Sequence, residues 1–170
     1  LLKGKRGIIF GALNDLSIAW KVAERAVEEG AEIVLTNTEI SLRMGEISKL
    51  AERCNAPIIA ADATKVEDLE ALVDRAMEHF GGKFDFVLHS VGMSPNVRKS
   101  IPYQSLNYTF LDRTLDISAV SFHKVLQVLY AKDALNEWGS VVALTYMAAQ
   151  RTFIGYSDMA DAKALLESVA

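Results

Sequence analysis

The chain has 170 residues, 51% of them hydrophobic and 24% charged, with a formal net charge of -4 and an isoelectric point near 5.4. That length suits one domain with a sizeable core, and the acidic balance leaves no dominant basic face for nucleic acid. The single cysteine, Cys54, excludes an internal disulfide and a multi-cysteine metal site, and points to a reducing compartment.

No apolar run approaches the roughly 18 residues of a membrane span. The opening L-L-K-G-K-R-G lacks the apolar centre of a signal peptide. Arg6–Phe10 is a short β-rich apolar run and reads as a strand buried on both faces. After G-A-L-N-D-L-S, the apolar residues from Ile18 to Glu29 recur at helical spacing, with Ser17 placed as N-cap and Gly30 as the stop. Glu32–Leu35 is a second strand, Leu42–Asn55 an amphipathic helix and Pro57–Ala60 a third strand. Val66–Phe80 is a helix closed by Gly81-Gly82, and Asp85–His89 a fourth strand ending in S-V-G. A polar stretch follows Gly92, then a long helical region from about Leu111 to Leu135. Ser140–Leu144 is a fifth strand, and a last helix begins near Ser157.

This alternation predicts a Rossmann-type, doubly wound parallel sheet with helices on both faces. Ligands on such sheets sit beyond the carboxyl ends of the strands. Gly11 to Ser17 offers a glycine for close backbone approach and a helix N-terminus for a pyrophosphate, although G-x-G-x-x-G is absent; a plain strand–helix turn fits as well. Thr36-Asn37-Thr38 carries no acidic residue for a ribose until Glu39, and only Arg43 stands near enough for a 2′-phosphate. Asp62-Ala63 suits an adenine contact or, equally, an Asx turn. Ser90-Val91-Gly92 is small enough for a cofactor to pass. His89 reads first as a hydrogen-bonded strand histidine, and His79 and His123 have no partners at metal-ligand spacing.

The stretch Thr145 to Ala170 holds two phenols and an amine: Tyr146, Tyr156 and Lys163. Seven residues separate Tyr156 from Lys163, about two helical turns or roughly 10 Å of axial rise. A bridging ligand suits that offset better than direct contact, while an exposed lysine and an interfacial tyrosine remain the alternative.

Together these pieces resemble the short-chain dehydrogenase/reductase superfamily, and more closely its NADH-dependent enoyl-acyl-carrier-protein reductases. The marks are G-A-L-N-D-L-S-I-A-W from Gly11, D-A at Asp62, H-S-V-G at His89, D-I-S-A-V-S-F at Asp116, and Tyr156-x6-Lys163 with Tyr146 upstream. Most of the superfamily has G-x3-G-x-G where this chain has Gly11, Asp15 and Ser17, and a tyrosine four residues before the lysine where this chain has Met159. Its catalytic serine and its helix asparagine would fall near Tyr146 and Ser118.

The resemblance implies hydride delivery from NADH, with NADPH the alternative, to the β-carbon of a trans-2-enoyl thioester on acyl carrier protein. It implies catalytic roles for Tyr156, Lys163 and Tyr146. Cofactor contacts are expected from Gly11, Ser17, Ile18, Asp62, Ala63, Ser90, Gly92 and Lys163, and an acyl pocket from Met93, Tyr146 and Met159. No metal is implied. Residues 1–170 would form one dinucleotide-binding domain without the C-terminal strands and substrate-covering loop of the longer family members. A cytoplasmic homotetramer is the expected assembly. The competing readings are another short-chain reductase, or a dinucleotide-binding module without catalysis.

Overall fold

The computed structural model describes residues 1–170. Five strands form one parallel sheet: β1 (Arg6–Phe10), β2 (Glu32–Asn37), β3 (Ile58–Ala60), β4 (Phe84–His89) and β5 (Leu135–Ala143), in the order β3-β2-β1-β4-β5. The order reverses at β1, so a crevice opens between the carboxyl ends of β1 and β4.

The apolar runs bury both faces because alternate residues point to opposite sides. Ile8, Phe10, Val34 and Val87 meet helices α4 (Val66–Phe80) and α7 (Ser121–Ala131) on one side. Ile9, Ile33, Leu35 and Leu88 meet α1 (Ile18–Glu28) and α3 (Ile47–Cys54) on the other. A smaller cluster of Ala119, Phe122 and Leu166 seats the last helix, Ser157–Val169, against the sheet.

Three expected elements differ. The helix expected over Leu42–Asn55 is two: α2 (Glu39–Met44) and α3. Gly45 breaks it in an extended conformation, where an added Cβ would lie 2.7 Å from the Leu13 carbonyl oxygen. The long helix expected over Leu111–Leu135 starts earlier and ends earlier. It comprises α6 (Tyr108–Leu115), a π-helical turn (Asp116–Val120) and α7, after α5 (Pro95–Arg98) in the preceding loop. Strand β5 begins at Leu135 rather than Ser140, but its ladder skips from Phe84↔Leu135 to Phe86↔Ser140. The intervening bulge carries Trp138 at φ 63, 93% exposed. Regular pairing therefore starts at the expected residue.

Gly11 sets the spacing of the crevice. Its φ is +88, and a Cβ there would stand 1.9 Å from the Ser90 carbonyl oxygen. Gly4 has a similar φ of +75 with nothing within 4 Å. We therefore expect Gly4→Ala to cost about 1–2 kcal/mol, from left-handed backbone strain alone. Gly11→Ala should cost about 3 kcal/mol or more, because the clash adds to that strain. Urea unfolding of both variants measures the difference; equal costs would show that the crevice yields freely.

Candidate active site

The turn after β1 is folded by its own polar groups. Ser17 Oγ accepts hydrogen bonds from the Leu13 and Asn14 amides, both at 3.1 Å. Ser17 thus occupies the N-cap position of α1 but makes no side-chain cap bond, contrary to the expected role. Its hydroxyl closes the loop instead. Asn37 Nδ2 ties the same loop to β2 by donating to the Ala12 carbonyl at 3.1 Å. The amides of Ile18 and Ala19 make no hydrogen bond within the chain. They lie at the positive end of α1, where a helix start has its free donors for an anion.

Beyond β3, Asp62 Oδ1 accepts from the Thr64 amide at 3.0 Å and the Thr64 hydroxyl at 2.7 Å. This is the Asx turn weighed above, and it leaves Oδ2 without a partner in the chain. Thr64 in turn receives Lys124 Nζ on its carbonyl at 2.7 Å, while the same ammonium holds Asp116 at 2.7 Å. Lys124 therefore braces the Asp62-Ala63 loop against the π-helical turn.

That turn carries Ser118, fully buried, whose hydroxyl accepts from the Met93 amide at 3.0 Å. An added Cβ on Gly92 would lie 3.7 Å from Lys163 Nζ, 3.9 Å from Met159 Cε and 3.9 Å from Ser118 Oγ. The Ser90–Met93 loop, the π-helical turn and the last helix, α8 (Ser157–Val169), thus converge at the end of β4. π-Helical insertions recur at such sites because they re-aim side chains without ending the helix.

His89 lies beneath this point, 1% exposed, with Phe122 edge-on at 5.4 Å. Its Nε2 stands 2.8 Å from Ser121 Oγ, whose own hydrogen goes to the Ile117 carbonyl at 2.7 Å. Nε2 is therefore the donor, and Nδ1 is left buried without a partner. Burial, aided by the positive charge of Lys163, lowers its pKa to about 4. It is the hydrogen-bonded strand histidine expected, and neutral. His79 pairs with Glu32 at 3.3 Å on the surface.

Tyr156 ends the loop after β5 and caps α8. Its ring stacks on Tyr146 with centroids 4.7 Å apart, and Phe153 packs on Tyr146 at 5.6 Å. Neither phenol of this pair hydrogen-bonds within the chain, so both hydroxyls are available to a ligand. Lys163 is 9% exposed and donates to the Leu144 carbonyl at 2.7 Å. Burial holds its pKa below the ordinary lysine value. No hydrogen bond joins Tyr156 to Lys163, so a molecule bridging them is needed to use both. The available phenol can donate to an oxygen gaining negative charge, and the ammonium adds a positive field beside it.

The sequence reading missed a polar hub beside the tyrosine. Asp158 is fully buried and bonded to Ser94, Asn96 and Thr114. Only its place two residues after Tyr156 hinted at it. A cleft of about 850 Å³ lies on the other flank of α8, between Ile101, Phe153, Ile154 and Ala160. None of Tyr146, Tyr156, Met159 or Lys163 lines it, so it is separate from the tyrosine–lysine site.

Residues 11–170 match the family model described as enoyl-(acyl carrier protein) reductase. The chain is 36% identical over 169 residues to enoyl-acyl-carrier-protein reductase (NADH) 1 of Rhizobium meliloti strain 1021, covering 99% of this chain and 61% of that protein. It is 72% identical to the crystal structure of FabI from Alistipes finegoldii, with a TM-score of 0.98, covering 100% of this chain and 65% of that one. A FabI–NADH complex from the same organism matches with 72% identity and a TM-score of 0.98, over 99% of this chain and 60% of that one. The chain thus spans about three fifths of the length of these relatives.

The burial of His89 has a pH consequence. Its folded pKa lies below the unfolded value of about 6.5, so acid protonates the unfolded chain first. The stability it contributes is full above pH 6.5 and falls as pH drops toward about 4, by about 3 kcal/mol at most. A ring-proton NMR titration should keep His89 neutral at pH 5.5; a midpoint near 6.5 would contradict its burial.

Proposed function

The chain belongs to the enoyl-(acyl carrier protein) reductase family, and on that footing we propose that the whole protein reduces the carbon–carbon double bond of trans-2-enoyl-acyl-carrier-protein thioesters with NADH. The observation that carries this reading is the Tyr156 phenol, free of hydrogen bonds and stacked on Tyr146, at the head of the helix that bears Lys163. Met159 stands where a carbonyl reductase of the superfamily would have its tyrosine.

A dinucleotide fits the residues present. Gly11 leaves room that a side chain would fill, the Ile18 and Ala19 amides await an anion, and Asp62 Oδ2 is open beside Ala63. Ser17 acts by shaping the turn, and Ser90 and Gly92 form a low wall toward Lys163. When bound, NADH supplies the hydride to the β-carbon of the enoyl group. Tyr156 donates a hydrogen bond to the thioester oxygen as enolate charge builds there, which lowers the barrier because the donor is already oriented. Lys163, held by the Leu144 carbonyl, binds ribose hydroxyls with its remaining hydrogens and adds positive charge near the enolate. Tyr146, Met93 and Met159 line the acyl side. The FabI–NADH neighbour supports NADH as the cofactor, and Thr36-Asn37-Thr38 offers no cation directly at the strand end for a 2′-phosphate.

The same reading takes residues 1–170 as one dinucleotide-binding unit of a cytoplasmic homotetramer. No helix is long and apolar enough to cross a membrane.

Steady-state rates with a short enoyl thioester, together with NADH titrations, separate the two central roles. Tyr156→Phe should lower kcat by about 10²–10³ with NADH affinity within about twofold. Lys163→Ala should weaken NADH binding by about 10- to 100-fold, through loss of a charged hydrogen-bond donor. The reverse ranking would show the roles exchanged.

A further inference from the structure

The fully buried carboxyl group beside the tyrosine forms no ion pair. Asp158 Oδ1 accepts from Ser94 Oγ at 2.6 Å, and Oδ2 accepts from Asn96 Nδ2 at 2.7 Å and from Thr114 Oγ1 at 2.8 Å. A buried charge is retained only when saturated with donors, and the first turn of α8 adds its positive pole.

Two of the donors come from α5 and its cap, and the third from α6. Ser94 also accepts from the Val97 amide at 2.9 Å, capping α5 directly after the Ser90–Met93 loop. Asn96 also bonds the backbone of Asn107 in both directions, at 3.2 Å each. Thr114 lies two residues before the π-helical segment that carries Ser118. Its single hydroxyl hydrogen is shared between Asp158 and the Phe110 carbonyl at 2.7 Å. One carboxylate therefore gathers the loop after β4, α5 and α6 onto the start of α8.

Between this anchor and the tyrosine lies one residue, Ser157, with φ at +47. A non-glycine residue in the left-handed region persists only where its surroundings over-determine it. Here they do on both sides: the Tyr156 ring is stacked on Tyr146, and the Asp158 side chain is tied by three groups. Ser157 itself reaches only the Ile101 carbonyl, at 3.5 Å.

We infer that Asp158 is a positioning residue, whose buried hydrogen bonds hold the strained Ser157 backbone and thereby aim the Tyr156 phenol at the developing oxyanion. The inference rests on Tyr156 being the donor of the proposed reaction. A misplacement of about 1 Å in such a group costs on the order of 10²-fold in rate.

The test compares the whole protein with Asp158→Asn, Thr114→Val and a control, Leu72→Ala, a core change between α4 and the sheet remote from the tyrosine. Asp158→Asn should lower kcat about 10- to 100-fold while the NADH dissociation constant stays within about twofold. Thr114→Val keeps the shape and removes one donor, so it should lower kcat less and in the same direction, and it carries the test if Asp158→Asn does not fold. Leu72→Ala should lower the melting temperature and leave kcat intact. Unchanged kcat in the folded Asp158 and Thr114 variants, or loss equal to that of the control, overturns the inference. A second readout is independent of turnover: the ring NMR signals of labelled Tyr156 should shift in Asp158→Asn as the stack on Tyr146 loosens. If the unaltered protein reduces no enoyl thioester, the proposed function fails, and these signals alone decide the positioning role; unchanged signals overturn it.

Discussion

The ends of β1 and β4 meet at Gly11 and the Ser90 carbonyl, where there is room for a hydrogen atom and no side chain. That closeness follows from parallel pairing carried to the last residues, Phe10 against His89. It brings the turn into α1, the Ser90–Met93 loop and, through Leu144 beyond β5, the Lys163 ammonium around one crevice. The helices serve the same end. α1 starts beside it with two unpartnered amides, and the π-helical turn holds Ser118 against the Met93 amide.

Electrostatics within the crevice are set by what is excluded from water. Lys163 and His89 are both buried, and the positive charge of the lysine adds to burial in keeping the histidine unprotonated. The histidine stays neutral and commits its one N–H to Ser121. Lysine is left as the cation facing the ligand side, with a backbone carbonyl fixing its reach. The Asp158 side chain is satisfied locally by Ser94, Asn96 and Thr114 at a helix start. The Tyr156 phenol then stands as an uncommitted donor.

Much of this was legible in the sequence because parallel strands buried on both faces read as continuous apolar runs. Arg6–Phe10 is a strand with the same bounds, and Val66–Phe80 a helix with the same bounds. The strand ends Gly11, Asp62, Ser90 and Gly92 could be named because topology, rather than local propensity, puts them together. What escaped was decided by single long-range contacts. Gly45 breaks a helix because Leu13 lies over it, a fact 32 positions distant in the chain. The break at Asp116–Val120 leaves the apolar rhythm intact, so no periodicity marks it. Ser17 looked like a cap because its position is that of a cap, while its hydroxyl turned back into the loop. Asp158 drew no notice in the sequence, because its burial depends on Ser94, Asn96 and Thr114 arriving from 64, 62 and 44 residues away.

The reaction proposed for the tyrosine–lysine site reduces a conjugated double bond rather than a carbonyl. The most direct measurement follows deuterium from NADH labelled at the reactive position into the product of a short enoyl thioester, read by mass spectrometry and NMR. One deuterium is expected on the β-carbon of the saturated thioester, with a solvent-derived hydrogen on the α-carbon. Deuterium on a carbinol carbon, or none transferred by the whole protein, would contradict it.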